Sequence, residues 1–270
     1  MMRPTIELYF RLIASRIRAQ MQYRFSFVMD VVGNFFSNLT DLGALFVMFT
    51  QATALGGWSL GEVAFLYGLS SVSFALHELF QGAFDNDIFA TYIQRGQFDQ
   101  ILIRPLPVSF QMFTEYFMLR RLARMTQGLL AFALGVALAQ PHWTLAKLLY
   151  LPWVLAGGAV FFLAISITGC TLCFWMVQPT EVVNIFTYGG TAMLSYPLTI
   201  YQEWLQRFFV YILPMAFINF FPSLYFLDRP DPFHLPPFVP FLAPVVCGAV
   251  LMIALRLWAF GVARYTSTGS

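Results

Sequence analysis

The stretch Asp85–Pro107, DNDIFATYIQRGQFDQILIRPLP, is one compact polar island in an otherwise apolar chain. Its flanks decide the fold. The runs at about 59–82 and about 113–139 are each long enough to cross a bilayer, which takes roughly 20 residues of helix. A polar segment tied between two such runs is a soluble handle on a lipid-embedded protein. It is where something in the aqueous phase can grip the chain.

The composition agrees with that reading. Hydrophobic residues make up 59% of the 270 residues and charged residues 10%. A soluble domain sits near about one half and about one quarter. Most residues are needed to cross the membrane, so no large soluble domain fits. A net charge of +2 with no dedicated basic face excludes a nucleic-acid partner. The 31 Phe and 12 Met suit packing in lipid and contact with apolar cargo.

Working outward, the spans fall at about 25–51, 59–82, 113–139, 147–176, 182–200 and 239–262. Pro141-His142-Trp143 turns between spans 3 and 4, and Gln178–Glu181 turns before span 5, with Thr180 as an N-cap. Residues 4–22 carry apolar side chains at helical spacing with Arg11, Arg16 and Arg18 between them. That pattern predicts an amphipathic helix on the membrane surface rather than a signal peptide. Residues 201–227 read either as a surface helix with a re-entrant hairpin or as a seventh span. Pro214 and Pro222 favour the hairpin, because each removes a backbone donor where no water replaces it.

The positive-inside rule fixes orientation. With six spans and a cytoplasmic N-terminus, twelve of the 15 basic residues lie inside, and Lys147, Arg207 and Arg229 lie outside. Both termini and the island are then cytoplasmic.

Within the island, Phe84–Gln94 is expected to be an amphipathic helix, with Phe84, Ile88 and Tyr92 on one side and Asp85, Asp87 and Thr91 on another. Gly96 ends it, and Arg104-Pro105-Leu106-Pro107 prevents any further helix. Three spans carry polar stripes at intervals of three and four. Span 1 has Asp30, Asn34, Ser37, Asn38 and Asp41. Span 2 has Ser70, Ser73, His77 and Gln81, with Glu78 beside them. Span 5 has Asn184, Thr187, Thr191 and Ser195. Such stripes are either helix–helix glue or a shared polar pathway. A carboxylate such as Asp41 costs about 2.5–3.5 kcal/mol at mid-bilayer, so it should face a partner or a wet cavity.

Metal and redox chemistry find little support. Cys170 and Cys173 form a C-x-x-C spacing inside an apolar helix with no second ligand pair. His77, His142 and His234 lie far apart. Asp85-x-Asp87 hints at a magnesium-dependent membrane transferase, but the second acidic cluster is missing. That enzyme, and an ion-driven secondary transporter, stay as alternatives.

The chain resembles the permease subunits of ABC-2-type transporters, specifically the six-span group that includes viologen-exporter-type permeases. The resemblance is carried by Gly96-Gln97-Phe98-Asp99 with Leu102-Ile103-Arg104-Pro105-Leu106, by Phe221-Pro222-Ser223-Leu224-Tyr225, and by the terminal Tyr265–Ser270. It implies an all-α integral membrane fold: an elbow helix (1–24), spans 1–2 (25–82), a cytoplasmic coupling segment (83–112), spans 3–5 (113–200), an extracellular re-entrant segment (201–238) and span 6 with its tail (239–270). It also implies a second permease, identical or homologous, on two ABC ATPase subunits in a bacterial inner membrane. The chain has no phosphate-binding G-x-x-x-x-G-K-[ST] loop and one lysine, Lys147. ATP and magnesium are therefore expected on the partner, with no cofactor here. The residues expected to meet the ATPase are Asp85, Asp87, Ile88, Tyr92, Arg95, Gly96, Phe98, Asp99 and Arg104. The expected pathway comprises Asn34, Ser37, Asn38, Asp41, Ser73, His77, Glu78, Asn184, Thr187 and Thr191. The expected cargo is an amphipathic, cationic or lipid-like small molecule, with Asp41 and Glu78 as its charge partners.

Overall fold

The computed structural model describes residues 24–115, 121–176 and 180–266, with isolated positions between 11 and 18. Almost all of the expected elbow helix lies outside them. The described residues are helical, with no strand. In chain order the α-helices are α1 (Arg24–Gln51), α2 (Leu60–Phe80), α3 (Asn86–Gln94), α4 (Gln97–Leu102), α5 (Val108–Glu115) and α6 (Leu122–Ala139). They continue with α7 (Leu145–Leu172), α8 (Thr180–Asn184), α9 (Gly190–Leu194), α10 (Glu203–Arg207), α11 (Phe220–Phe226) and α12 (Ala243–Arg264).

Four helical stretches among the described residues are long and apolar enough to cross a membrane: α2, α6, α7 and Val239–Arg264. The α2 helix is the centre of the bundle. In its most apolar window 83% of residues are buried, against 22% for Val239–Arg264. The last span therefore turns most of its surface outward. In lipid, apolar area gives little drive for helix association, so close backbone contact has to supply it. The α2–α6 pair does this with glycine. Gly61 and Gly68 on α2 face Ala139 and Phe132 on α6, while Gly128 and Gly135 on α6 face Val72 and Phe65 on α2. A Cβ added at Gly61 would lie 2.6 Å from the Ala139 nitrogen, and one at Gly68 would lie 2.8 Å from the Phe132 Cβ. The seven-residue spacing in each helix keeps both glycines on one face.

The α2 helix starts in a capping box. Glu62 N–H donates to Ser59 Oγ, and Ser59 N–H donates to Glu62 Oε2 at 2.8 Å. Arg229 then binds the same Glu62 oxygen at 2.7 Å and stacks 4.6 Å over Trp58. This end of the bundle is opposite the island.

Span 5 differs from its expected extent of 182–200. Its helix runs from Thr180 to Leu194, with a π turn over Ile185–Gly189, and Pro197 follows in extended conformation. The remainder, to Ile200, is a turn and one short 3-10 piece.

The region after it is a re-entrant hairpin. Glu203–Ile212 and Met215–Phe226 are bent by 76° about Leu213-Pro214. The hairpin starts and finishes at one end of the bundle. Ile200 packs beside Gly56, and Arg229 donates to Gly57 O at 3.0 Å. Between those points Asn219, fully buried, donates to Leu66 O and Leu194 O, which pins the hairpin to α2 and α9. A segment that returns to its starting end adds no crossing of its own.

Candidate functional site

The island folds into two short helices. Asp85 caps α3 by accepting from Ile88 N–H at 3.4 Å. Gly96, at φ +65°, turns the chain from α3 into α4 in a left-handed conformation that glycine adopts without strain. The buried face of α3 is Asn86, Phe89, Ala90 and Ile93. Ile88 and Tyr92 are partly exposed and sit on the open side with Arg95, which is exposed. Asp87 and Arg104 are also exposed, and Arg104 reaches Glu115 at 3.5 Å.

Phe98 needs a correction. It is fully buried and cannot touch an aqueous partner. Its ring packs against Phe89 (5.5 Å), Phe174 (5.4 Å), Trp258 (6.2 Å) and Tyr265 (5.1 Å). These rings fasten α3 and α4 to the ends of α7 and α12, with edge-to-face contacts that favour fixed geometry. Asp99 lies beside Tyr265. Burial, and then this carboxylate, push the Tyr265 phenol above its ordinary range.

Two arginines tie the island to the spans. Arg121, on the turn before α6, donates to Glu78 O at 2.6 Å and to Asp85 Oδ2 at 3.0 Å. It therefore satisfies a carbonyl in the last turn of α2 and steadies the cap of α3 in one step. Gln81 adds a bond to the same Asp85 oxygen at 3.2 Å. Arg124, one turn into α6, binds Glu78 Oε1 at 3.0 Å. Both arginines entered the sequence reading as orientation charges, and their pairing was missed. The available signal was Arg121 and Arg124 three apart at the start of a span, facing two acids, Glu78 and Asp85, at the end of the previous one.

The polar stripes divide. On α2, Ser70 donates to Tyr67 O and Ser73 to Leu69 O, and Ser73 packs on Gly158 of α7. On span 5, Thr187, Thr191 and Ser195 donate to Val183 O, Thr187 O and Thr191 O. These hydroxyls use their protons on their own helices, as Ser and Thr do in apolar surroundings. His77 meets Ser166 of α7 through Nε2 at 3.2 Å. The side chains of Asp30, Asn34, Ser37, Asn38 and Asp41 lie outside the described residues. Cys170 and Cys173 are buried free thiols, and Cys170 Sγ–H reaches Asn86 Oδ1 at 3.5 Å. Among the described residues no cluster could hold a metal ion.

Two cavities lie along the seam. A small polar cleft of about 20 Å³ is walled by His77, Glu78, Asp85, Asp87, Asn184 and Thr187. That is room for a water molecule. A larger, partly open cavity of about 300 Å³ lies between α1, α2, α6 and span 5. Its walls include Leu45, Tyr67, Phe74, Arg124, Tyr188 and Thr191. Phe74 and Tyr188 belong to both cavities, and the Arg124 guanidinium stands 5.1 Å and 5.7 Å from their ring centres. Arg124, Phe74 and Tyr188 thus form the partition. Ser73 walls neither space. Thr191 walls the larger one, and Glu78, His77, Asn184 and Thr187 wall the smaller.

A helical bundle with four stretches long and apolar enough to cross a membrane, a docked polar island and an amphipathic cavity is that of a multi-pass membrane protein. The chain belongs to the ABC-2 family transporter proteins, whose family model matches residues 35–269. It is accordingly the membrane subunit of an ABC transporter, of a kind that works with an ABC ATPase and is not itself the ATPase. No curated protein and no solved structure matches the chain.

Proposed function

We propose that the chain is the permease half of an ATP-driven exporter that moves an amphipathic small molecule out of a bacterial cell. A separate ABC ATPase binds its island, and a second permease, identical or homologous, carries the second ATPase copy and completes the pathway. The island and both termini are cytoplasmic on the charge count, and ATP and magnesium reside on the partner.

The observation that carries this reading is the continuous polar link from island to cavity. Asp85 caps α3, Arg121 binds Asp85 and the end of α2, and Arg124 binds Glu78 and walls the cavity. In the proposed cycle, closure of the ATPases on ATP presses the open side of α3, at Ile88, Tyr92 and Arg95. The aromatic anchor around Phe98 makes α3 and α4 move as one body. The push then reaches α2 and α6 through the two arginines and narrows the cavity. A secondary transporter has no need of such a handle.

Purification of a tagged chain from its native membrane tests this. An ABC ATPase should copurify in equal amount. In proteoliposomes Tyr92→Ala and Arg95→Ala should keep ATP hydrolysis while lowering cargo moved per ATP by tenfold or more. If no ATPase copurifies, or both variants stay fully coupled, the reading fails.

A further inference from the structure

The cavity of about 300 Å³ carries one positive charge on its described walls, Arg124, and no carboxylate. Glu78, the acid that pairs with Arg124, walls the small cleft on the other side of the partition. Among the described walls, a molecule in the larger cavity therefore meets Arg124 and not Glu78. The Arg124 side chain is 28% exposed and the Glu78 side chain 11%, so the arginine has the better access. The other walls mix apolar and aromatic side chains, among them Leu45, Phe74, Tyr188 and Tyr196, with the neutral polar Ser71, Gln127, Thr191 and Ser195. The volume matches the lower end of small-molecule sites, which run from about 300 Å³.

We infer that this cavity binds an amphiphile with an anionic headgroup, a phosphate or carboxylate, and that Arg124 receives the headgroup. The inference rests on the transport reading for the purpose of the site, and it replaces the cationic cargo expected from sequence. A guanidinium presents five N–H donors in a planar fork suited to both oxyanions. Its contact with two ring faces holds that fork while leaving its edge for an acceptor. The bound anion takes the place of Glu78 as the partner of Arg124. No unpaired charge is left on the arginine, and the displaced charge is that of Glu78, whose side chain is 11% exposed. Glu78, once released, lies next to Arg121, which already bonds its backbone carbonyl and the Asp85 cap of α3. Cargo occupancy is thereby sensed at the island.

The test is equilibrium binding to the purified full chain in nanodiscs of zwitterionic lipid. The probes are radiolabelled dodecyl phosphate and dodecyltrimethylammonium. The wild type should favour the phosphate by at least tenfold. Arg124→Gln should lose that preference, and Glu78→Gln should strengthen phosphate binding severalfold because it frees the arginine. The double variant Glu78→Gln/Arg124→Gln leaves no charge unpaired, and it should fold and bind neither probe selectively. Tighter binding of the trimethylammonium, weaker phosphate binding in Glu78→Gln, unchanged binding in Arg124→Gln, or no phosphate binding above empty nanodiscs would each overturn the inference. The assay uses no ATP, so a missing ATPase rejects the exporter reading and leaves this result standing.

Discussion

Replacing Arg121 by Gln should cost about 3 kcal/mol of stability, a figure that follows from its two bonds. The side chain is 8% exposed and donates to Glu78 O at 2.6 Å and Asp85 Oδ2 at 3.0 Å. Hydrogen bonds involving a charged group are each worth about 1.5–3 kcal/mol net. Asp85 is 22% exposed and keeps Gln81 and the Ile88 amide as donors. Water and those two donors take over part of its share, which brings the sum toward the lower end of the range. The carbonyl of Glu78 lies in the last turn of α2 and gains less from solvent. Unfolding in mixed micelles with rising dodecyl sulfate, followed by tryptophan fluorescence, measures the loss. The double-mutant cycle with Asp85→Asn should return a coupling of about 1.5 kcal/mol. A loss below about 0.5 kcal/mol for Arg121→Gln, or additive single effects, refutes the claim that this arginine joins island to bundle.

Gly68→Val forces methyl groups into the backbone of α6 and should destabilise by at least about 1–3 kcal/mol, read in the same assay. Gly248→Val, where the space around the glycine is open, is its control and should change little. Phe98→Ala should cost about 3–5 kcal/mol and loosen the island, visible as faster proteolysis at Arg95. Arg95→Ala, on the open side of α3, should leave stability within about 0.5 kcal/mol and affect only the coupling to an ATPase.

Much of the architecture was legible because membrane crossing imposes simple demands on sequence. The island, the long apolar helices and the hairpin at Pro214 follow from where backbone donors can be left without water. Helical periodicity placed Ile88 and Tyr92 together on one stripe of α3, the open one, but did not show that Phe89, Ala90 and Ile93 form the stripe that meets α7 and the aromatic cluster. Which apolar stripe is buried depends on the neighbour, and single-helix spacing carries no information about that. The hydroxyls of Thr187, Thr191 and Ser195 each return their proton to the carbonyl four residues back, while the same residues wall the two cavities. The glycine seam was readable as Gly61/Gly68 and Gly128/Gly135, seven apart in two consecutive spans. Span 5 was read too long because apolar residues continue beyond Leu194, whereas the helix is ended by local backbone geometry near Pro197.

Lys147 is the one lysine of the chain. Its amine is locked at 2.7 Å to both Asp228 oxygens and at 3.0 Å to Phe226 O, with 4% of the side chain exposed. Amine-directed cross-linking and labelling chemistry therefore has one side-chain target here, and the folded protein shields it. Contacts with partner subunits will go unrecorded by lysine-specific reagents, while carboxylate- or aromatic-directed ones can report them. The same feature gives the protein a built-in chemical reporter: acylation at Lys147 registers each opening of the loop that follows the hairpin, at a single position and with no engineered label.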